Sequence, residues 1–339
     1  MEEIPLYNCS AHTPQEWSEL DGVRRPVYGI VEMIYGIILT CLYLPIISVL
    51  LEKELFKLSC YKIMTCLAII DTLAIWDTAI ITGFFAYQGA VYCSYPTLQY
   101  LTGMAALGLW CCSCVIALSL VINRLLDMIK PTLGRKIFEG NRTFFVMFGC
   151  LSYAGYSVVF TTPTVFNSKF HSWLFDPLIF KDKASEYTNV FHRFNNILVV
   201  SVTACLYISF CFVMGSKIKK TSDAGSRSSK SHKLSYQIFL QSAIICALNQ
   251  VAAITYVVMN WIDVPFWLII VGHTMWQFGH GAPALIYTCL NKTIRTGLGR
   301  KFCGRWKRKN QKISLAGSSY ITSDLRRPSE IRRPSELHR

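Results

Sequence analysis

Charge is what this sequence has least of. Of its 339 residues only 16% are Asp, Glu, Lys or Arg, too few to cover the surface of a soluble domain of that size. The shortage is concentrated. Stretches 98–123, 143–165, 194–214, 236–260 and 264–290 hold no formal charge, 27–51 is interrupted only by Glu32, and 63–88 only by Asp71 and Asp77. A ~10-residue apolar alternation is missing as well, which excludes a membrane β-barrel. A helix rising ~1.5 Å per residue needs ~20 residues to cross ~30 Å of hydrocarbon, and in lipid only a helix or a closed barrel satisfies its own backbone. The reading is an all-α membrane protein, a bundle of seven transmembrane helices over 27–51, 63–88, 98–123, 143–165, 194–214, 236–260 and 264–290.

Other absences narrow the function. Residues 1–26 are polar and acidic without an apolar core, so the first span is expected to act as its own uncleaved insertion signal. No lysine lies in the seventh span, which removes a retinal Schiff base. No nucleophile with a base, metal cluster or phosphate loop supports an enzyme, and no cofactor is expected. His273 and His280, seven apart on one span, lack a third ligand for zinc, so no metal site is expected. Paired internal repeats and discontinuous helices, the marks of a transporter, are also missing.

The bases that remain fix the orientation. With the N-terminus outside, 28 of the 34 Lys and Arg fall in cytoplasmic segments, five fall outside, and Arg193 sits at the mouth of span five. That asymmetry satisfies the positive-inside rule. It disfavours a seven-span ligand-gated cation channel, which would place the N-terminus inside. The cytoplasmic excess suits anionic lipid and not nucleic acid. Of 14 cysteines only Cys9 and Cys93 lie in extracellular segments, where they either form a disulfide or stand as two free thiols. Asn8-Cys9-Ser10 is a glycosylation sequon on the same side, with Asn8 the acceptor.

Polar residues inside the spans carry the functional signal, because an ionisable group at mid-membrane is costly. Leu67-Ala68-Ile69-Ile70-Asp71 in span two resembles the LAxxD of rhodopsin-like G-protein-coupled receptors. Asn123-Arg124-Leu125 at the end of span three is a degenerate DRY box, and Ser113 lies three turns above Arg124 on the side facing Asp71. Pro283 and Tyr287 stand in span seven. Asp71 either binds a cation or is a neutral hydrogen-bonded acid. Arg124 is a two-state latch, bonding across to spans five and six, or an ordinary basic anchor. Pro283 would kink its helix.

Wider resemblance covers nearly the whole chain. Tyr43-Leu44-Pro45, Cys60-Tyr61-Lys62-Ile63-Met64, Trp110-Cys111-Cys112, Asn123-Arg124-Leu125-Leu126-Asp127, Phe138-Glu139-Gly140-Asn141-Arg142-Thr143, Trp173-Leu174-Phe175-Asp176-Pro177 and the run from His280 to Tyr287 resemble the serpentine receptor class T group of nematode chemoreceptors. The resemblance implies a multi-pass plasma-membrane receptor of sensory neurons or cilia, a small-molecule ligand and a heterotrimeric G protein. The chain departs from the wider rhodopsin-like pattern too. Span six has no proline, span four no Trp, and the loop 166–190 no cysteine to form the usual loop disulfide.

A ligand is expected in the outer third of the bundle. Candidates are Glu32 in span one, Asp77 in span two, His192 and Arg193 opening span five, and His273, Trp276 and Gln277 in span seven. The alternative for these groups is hydrogen bonding between helices. On the cytoplasmic side, 217–235 is Ser- and Lys-rich and expected to be a flexible extension. Residues 291–303 are expected to form a short basic amphipathic eighth helix ending at Cys303, which is either palmitoylated or a free thiol. The tail 304–339 is expected to be disordered. It repeats Arg-Arg-Pro-Ser-Glu at Ser329 and Ser335, phosphorylation candidates for a basic-directed kinase, after which an arrestin-like partner could bind.

Overall fold

The computed structural model describes residues 4–223, 229–259 and 265–303. Its helices in chain order are α1 (Pro14–Asp21), α2 (Pro26–Leu50), α3 (Lys53–Phe56), α4 (Ser59–Ile75), α5 (Thr82–Gln88), α6 (Pro96–Ile129), α7 (Pro131–Phe138), α8 (Arg142–Phe160), α9 (Val190–Asp223), α10 (Ser229–Met259), α11 (Phe266–Leu290) and α12 (Lys292–Cys303). A π-helical stretch, Trp76–Ile81, joins α4 to α5 into one span. A hairpin of β1 (Val165–Asn167) and β2 (Ser172–Leu174) lies between α8 and α9.

Local chemistry sets many of these boundaries. Proline stands at the first turn of α1, α2, α6 and α7, where its missing N–H costs nothing and its fixed φ suits the helix. Thr13 and Glu16 form a reciprocal capping box on α1, satisfying two otherwise orphaned amides. Gly89, at φ +72°, closes α5 in the left-handed conformation that glycine adopts without steric cost.

Five spans, α2, α4 with α5, α6, α8 and α9, are apolar and long enough to cross a membrane by composition alone, and α10 and α11 complete the seven. Buried α6 is the hub, packing on α4, α8, α9 and α10. On the outer helices large apolar side chains face outward, among them Val27, Ile34 and Ile38 on α2 and Phe145, Phe148 and Phe160 on α8. In a soluble protein such a belt would be an aggregation hazard; here it is the lipid-facing surface. Without a hydrophobic drive between helices in lipid, close backbone approach matters. A Cβ on Gly29 would fall 2.4 Å from the Gly83 carbonyl oxygen, and one on Gly83 would fall 2.5 Å from that of Gly29.

Two expectations change. The basic stretch 217–235 is largely helical, since α9 continues to Asp223 and α10 begins at Ser229; a helix already paid for by its span extends one hydrogen bond per residue. The eighth helix does not merely rest on lipid. Ile294 is fully buried, Gly297 sits against Val49, Arg300 pairs with Glu52, and Lys301 Nζ donates to the Ser48 carbonyl at 2.6 Å, docking α12 on the inner end of α2. Asn291 caps it through the Ile294 amide. Cys303 is its last residue; Ser329, Ser335 and the tail 304–339 lie outside the described residues.

Candidate ligand cavity and polar switch

Asp71 is fully buried at the centre of the bundle. One carboxylate oxygen, Oδ1, accepts from Ser113 Oγ at 2.9 Å and lies 2.8 Å from His280 Nδ1. Tyr43 reaches the other oxygen at 3.5 Å while its hydroxyl donates to the His280 carbonyl at 2.6 Å. Spans one, two, three and seven thus meet on one carboxylate. Ser113 takes the expected place, and His280 makes a second contact with the same oxygen.

Toward the cytoplasm, Asn123 donates to Ser59 Oγ at 3.2 Å, tying α6 to the start of α4. Among the described residues Arg124 makes no bond to spans five and six; its Nη1 lies 3.4 Å from Asp127 Oδ2, one turn along the same helix. Acid and base three apart on one helix face each other, so the guanidinium has a near partner. Pro283 lies within α11, and Tyr287 is buried with a hydroxyl that has no hydrogen-bond partner among the described residues.

Outward of Asp71 is a cavity of about 270 Å³. Trp110 of α6, His192 of α9, Tyr256 of α10 and Trp276 of α11 line it, and Trp173 and Phe175 of the hairpin roof it. Polar side chains stiffen its wall: Trp110 Nε1 donates to Asn196 Oδ1 at 3.0 Å, and Asn196 Nδ2 lies 3.3 Å from His192 Nε2. Trp276 Nε1 and His192 Nδ1 have no hydrogen-bond partner among the described residues. The inner wall adjoins the polar centre, because the His280 ring meets the Trp110 ring edge-on at 6.1 Å and the Trp276 ring at 6.5 Å.

Of the residues expected to line a pocket, His192 and Trp276 do so. Glu32, Asp77, Arg193, His273 and Gln277 are not among the lining residues. Half-buried Arg193 lies one position along α9, its amide donating to the Asn189 carbonyl at 3.3 Å. Asp77 is buried in the π-helical turn, and neither carboxylate oxygen has a hydrogen-bond partner among the described residues. Gln277 bridges helices: its Nε2 donates to the Thr78 carbonyl at 2.6 Å and to Glu32 Oε1 at 3.0 Å. His171, from the hairpin turn, approaches the same Glu32 oxygen at 3.0 Å, and His273 approaches it at 3.5 Å. The expectation of no metal ligand set considered His273 with His280; His280 turns instead to Asp71, and His171 joins His273.

Comparison with known proteins follows from this architecture. Squid rhodopsin, in its crystal structure, superposes with a TM-score of 0.64 over 94% of this chain and 97% of its own, at 14% sequence identity. That likeness shows the rhodopsin-like seven-helix fold. The family model described as "Serpentine type 7TM GPCR chemoreceptor Srt" matches residues 1–312. The chain belongs to the serpentine receptor class T family. Serpentine receptor class T-55 of Caenorhabditis elegans is 31% identical over 291 residues, 85% of this chain and 78% of that protein.

As a class T receptor it is a multi-pass membrane protein of the G-protein-coupled type, and its outer face is folded where the sequence indicated only loops. Gln99 of α6 accepts from the Phe166 amide at 2.9 Å and donates to the Val91 carbonyl at 2.9 Å, holding the hairpin in a loop that has no cysteine. Trp173 Nε1 donates to Thr82 at 2.8 Å. A disulfide joins Cys9 to Cys93. It fastens an N-terminal cap in which Trp17 donates to the Cys9 carbonyl at 3.1 Å and Tyr7 packs among Tyr92, Tyr100 and Tyr187. Burial raises the pKa of Tyr187 to about 12 and pushes those of Tyr7 and Tyr92 above the ordinary phenol value. Half-buried Asn8 lies next to the disulfide, its Oδ1 accepting from the Ser10 amide.

Proposed function

We propose that this class T receptor binds an extracellular small molecule in the cavity beneath the hairpin and transmits occupancy to a heterotrimeric G protein. The observation that carries the reading is the contact of two cavity-lining rings, Trp110 and Trp276, with His280, the residue on Asp71. A ligand that displaces either ring alters the packing of His280 and so the junction of four spans.

Cavity chemistry narrows the ligand. At about 270 Å³ it lies just below the usual range for drug-sized ligands, ~300–1,000 Å³, and above the ~150 Å³ that admits benzene. Aromatic walls with two nitrogens that have no partner among the described residues, Trp276 Nε1 and His192 Nδ1, suit a compact, largely apolar molecule with a hydrogen-bond acceptor. The inner ends of α9 and α10, extended past the membrane, provide a surface for the G protein. Kinase and arrestin-like partners at Ser329 and Ser335, and palmitoylation of Cys303, complete the reading on the cytoplasmic side, in a sensory-neuron or ciliary membrane.

A panel of volatile and water-soluble compounds, screened on cells that report G-protein activation, tests it. With an activating compound in hand, Trp276→Ala and His192→Ala should each shift the response at least tenfold at unchanged surface expression. Responses that stay at wild-type sensitivity in both variants would refute the cavity assignment. An N-terminal epitope reachable only after permeabilisation would reverse the topology and favour a channel.

A further inference from the structure

Glu32, His171 and His273 come from three separate elements, α2, the hairpin turn and α11, and their ligand-type atoms all lie within 4.8 Å of one another. All three are buried. Their arrangement is lopsided: His171 Nε2, His273 Nε2 and Gln277 Nε2 all crowd Glu32 Oε1, at 3.0, 3.5 and 3.0 Å, while Glu32 Oε2 has no partner among the described residues. The two imidazole nitrogens are therefore aimed at a shared point beside one carboxylate oxygen. A buried carboxylate in this outer part of the bundle needs a positive partner, and no Lys or Arg contact to it is present among the described residues.

We propose that Glu32, His171 and His273 form a binding site for a divalent transition-metal ion, zinc being the best fit. Two imidazoles and a carboxylate suit Zn²⁺ and leave a fourth position for water. With Zn–N and Zn–O bonds of ~2.0–2.2 Å, tetrahedral ligand atoms lie roughly 3.3 Å apart. The pairs that involve Glu32 Oε1, at 3.0 and 3.5 Å, already match, so at most one pair of atoms must close by about 1.5 Å. Gln277 Nε2 donates to the Thr78 carbonyl and to Glu32 Oε1 and lies 3.1 Å from His273 Nε2, so it orients both ligands from the edge of the site. Because His171 stands two residues before the cavity-roofing Trp173, while the His273 ring packs edge-on against Trp276 at 6.1 Å, a bound ion would staple the hairpin to spans one and seven beside the cavity. The site stands on its own geometry and does not depend on what ligand the cavity takes.

The test is titration of the full-length receptor in lipid nanodiscs with Zn²⁺ alone, and with Co²⁺ as a spectroscopic probe. Expected are one high-affinity site per receptor, a Zn²⁺-dependent rise in unfolding temperature, and visible cobalt absorption of a four-coordinate nitrogen–oxygen site. Near-ultraviolet thiolate bands should be missing, which separates this site from the many free cysteines. Glu32→Gln, His171→Ala and His273→Ala should each weaken binding at least about tenfold. A wild-type receptor that binds no Zn²⁺ at micromolar concentration, or binds it only with thiolate signatures, overturns the proposal whether or not the variants fold, and leaves the three residues as a proton-sharing network. Equal binding by wild type and all three folded variants overturns it as well.

Discussion

Asp71 and His280 are close enough to form a charge pair if the imidazole is protonated, and a double-mutant cycle distinguishes that state from an ordinary interhelical hydrogen bond. Both side chains are completely buried, with Oδ1 and Nδ1 2.8 Å apart. Two unit charges at that distance attract by about 6 kcal/mol at an effective dielectric of ~20. Neutral interhelical hydrogen bonds measured by double-mutant cycles in lipid average only about 0.6 kcal/mol and reach about 1.7. Desolvation offsets part of the Coulomb gain without cancelling the coupling between partners, so a coupling of about 2–4 kcal/mol marks the charged pair. The perturbation is the cycle of Asp71→Asn, His280→Phe and the double variant. His280→Phe alone is the harshest, because the carboxylate keeps only Ser113 as a close donor while the Tyr43 proton is engaged by a carbonyl. Equilibrium unfolding in mixed detergent, followed by helical circular dichroism, gives the four stabilities. A coupling of 0.6 kcal/mol or less would show a neutral contact and remove the charge pair from the proposed switch.

Gln99→Leu should strand the Phe166 amide and Val91 carbonyl, both buried, costing about 1–3 kcal/mol each; hydrogen exchange across the hairpin should accelerate, and unchanged protection would show that Trp173 and Thr82 hold it alone. Reducing the Cys9–Cys93 bond, which spans 84 residues, removes a constraint worth about 4–5 kcal/mol in the loop-closure model. Unfolding temperature should fall on reduction, and two alkylatable thiols in non-reducing mass spectrometry would remove the disulfide from the account. Ser329→Ala with Ser335→Ala should slow desensitisation of the activated receptor, measured as decay of the G-protein signal under constant ligand; an unchanged decay would discard the tail as its site.

Spans were legible because burial in lipid writes itself as missing charge, a local signal readable without knowing any contact. Asp71 and Ser113 were legible for a related reason, since few polar groups occur at that depth and the third span must face the second. His280 was not. Helical spacing places His273, Gln277 and His280 on one side of α11, yet seven residues separate the two histidines by about 10 Å along the axis, and at those depths they meet different neighbours, Glu32 and Asp71. His171 was hidden in a loop, where no periodicity says which way a side chain turns; its φ of +50°, unusual for a residue with a Cβ, is set by the fold around it. The cap of α1 and the tyrosine cluster were missed because an acidic, weakly apolar segment reads as solvated until the disulfide and Tyr7 bring it down onto the bundle.

The π-helical turn in span two has an evolutionary implication. It accommodates one residue more than an α-helix would over the same length, so the added residue is absorbed within the turn, which carries the Thr78 carbonyl that receives Gln277 and leads directly to the Thr82 hydroxyl that receives Trp173. A single-codon deletion within Trp76–Ile81 would restore regular α-helix with the helix beyond it still in register, whereas the same deletion in the flanking α-helical turns would swing the outer third of the span by about 100°. An insertion or deletion at this one turn is thus absorbed locally, changing the groups it presents to Gln277 without disturbing the machinery beneath it.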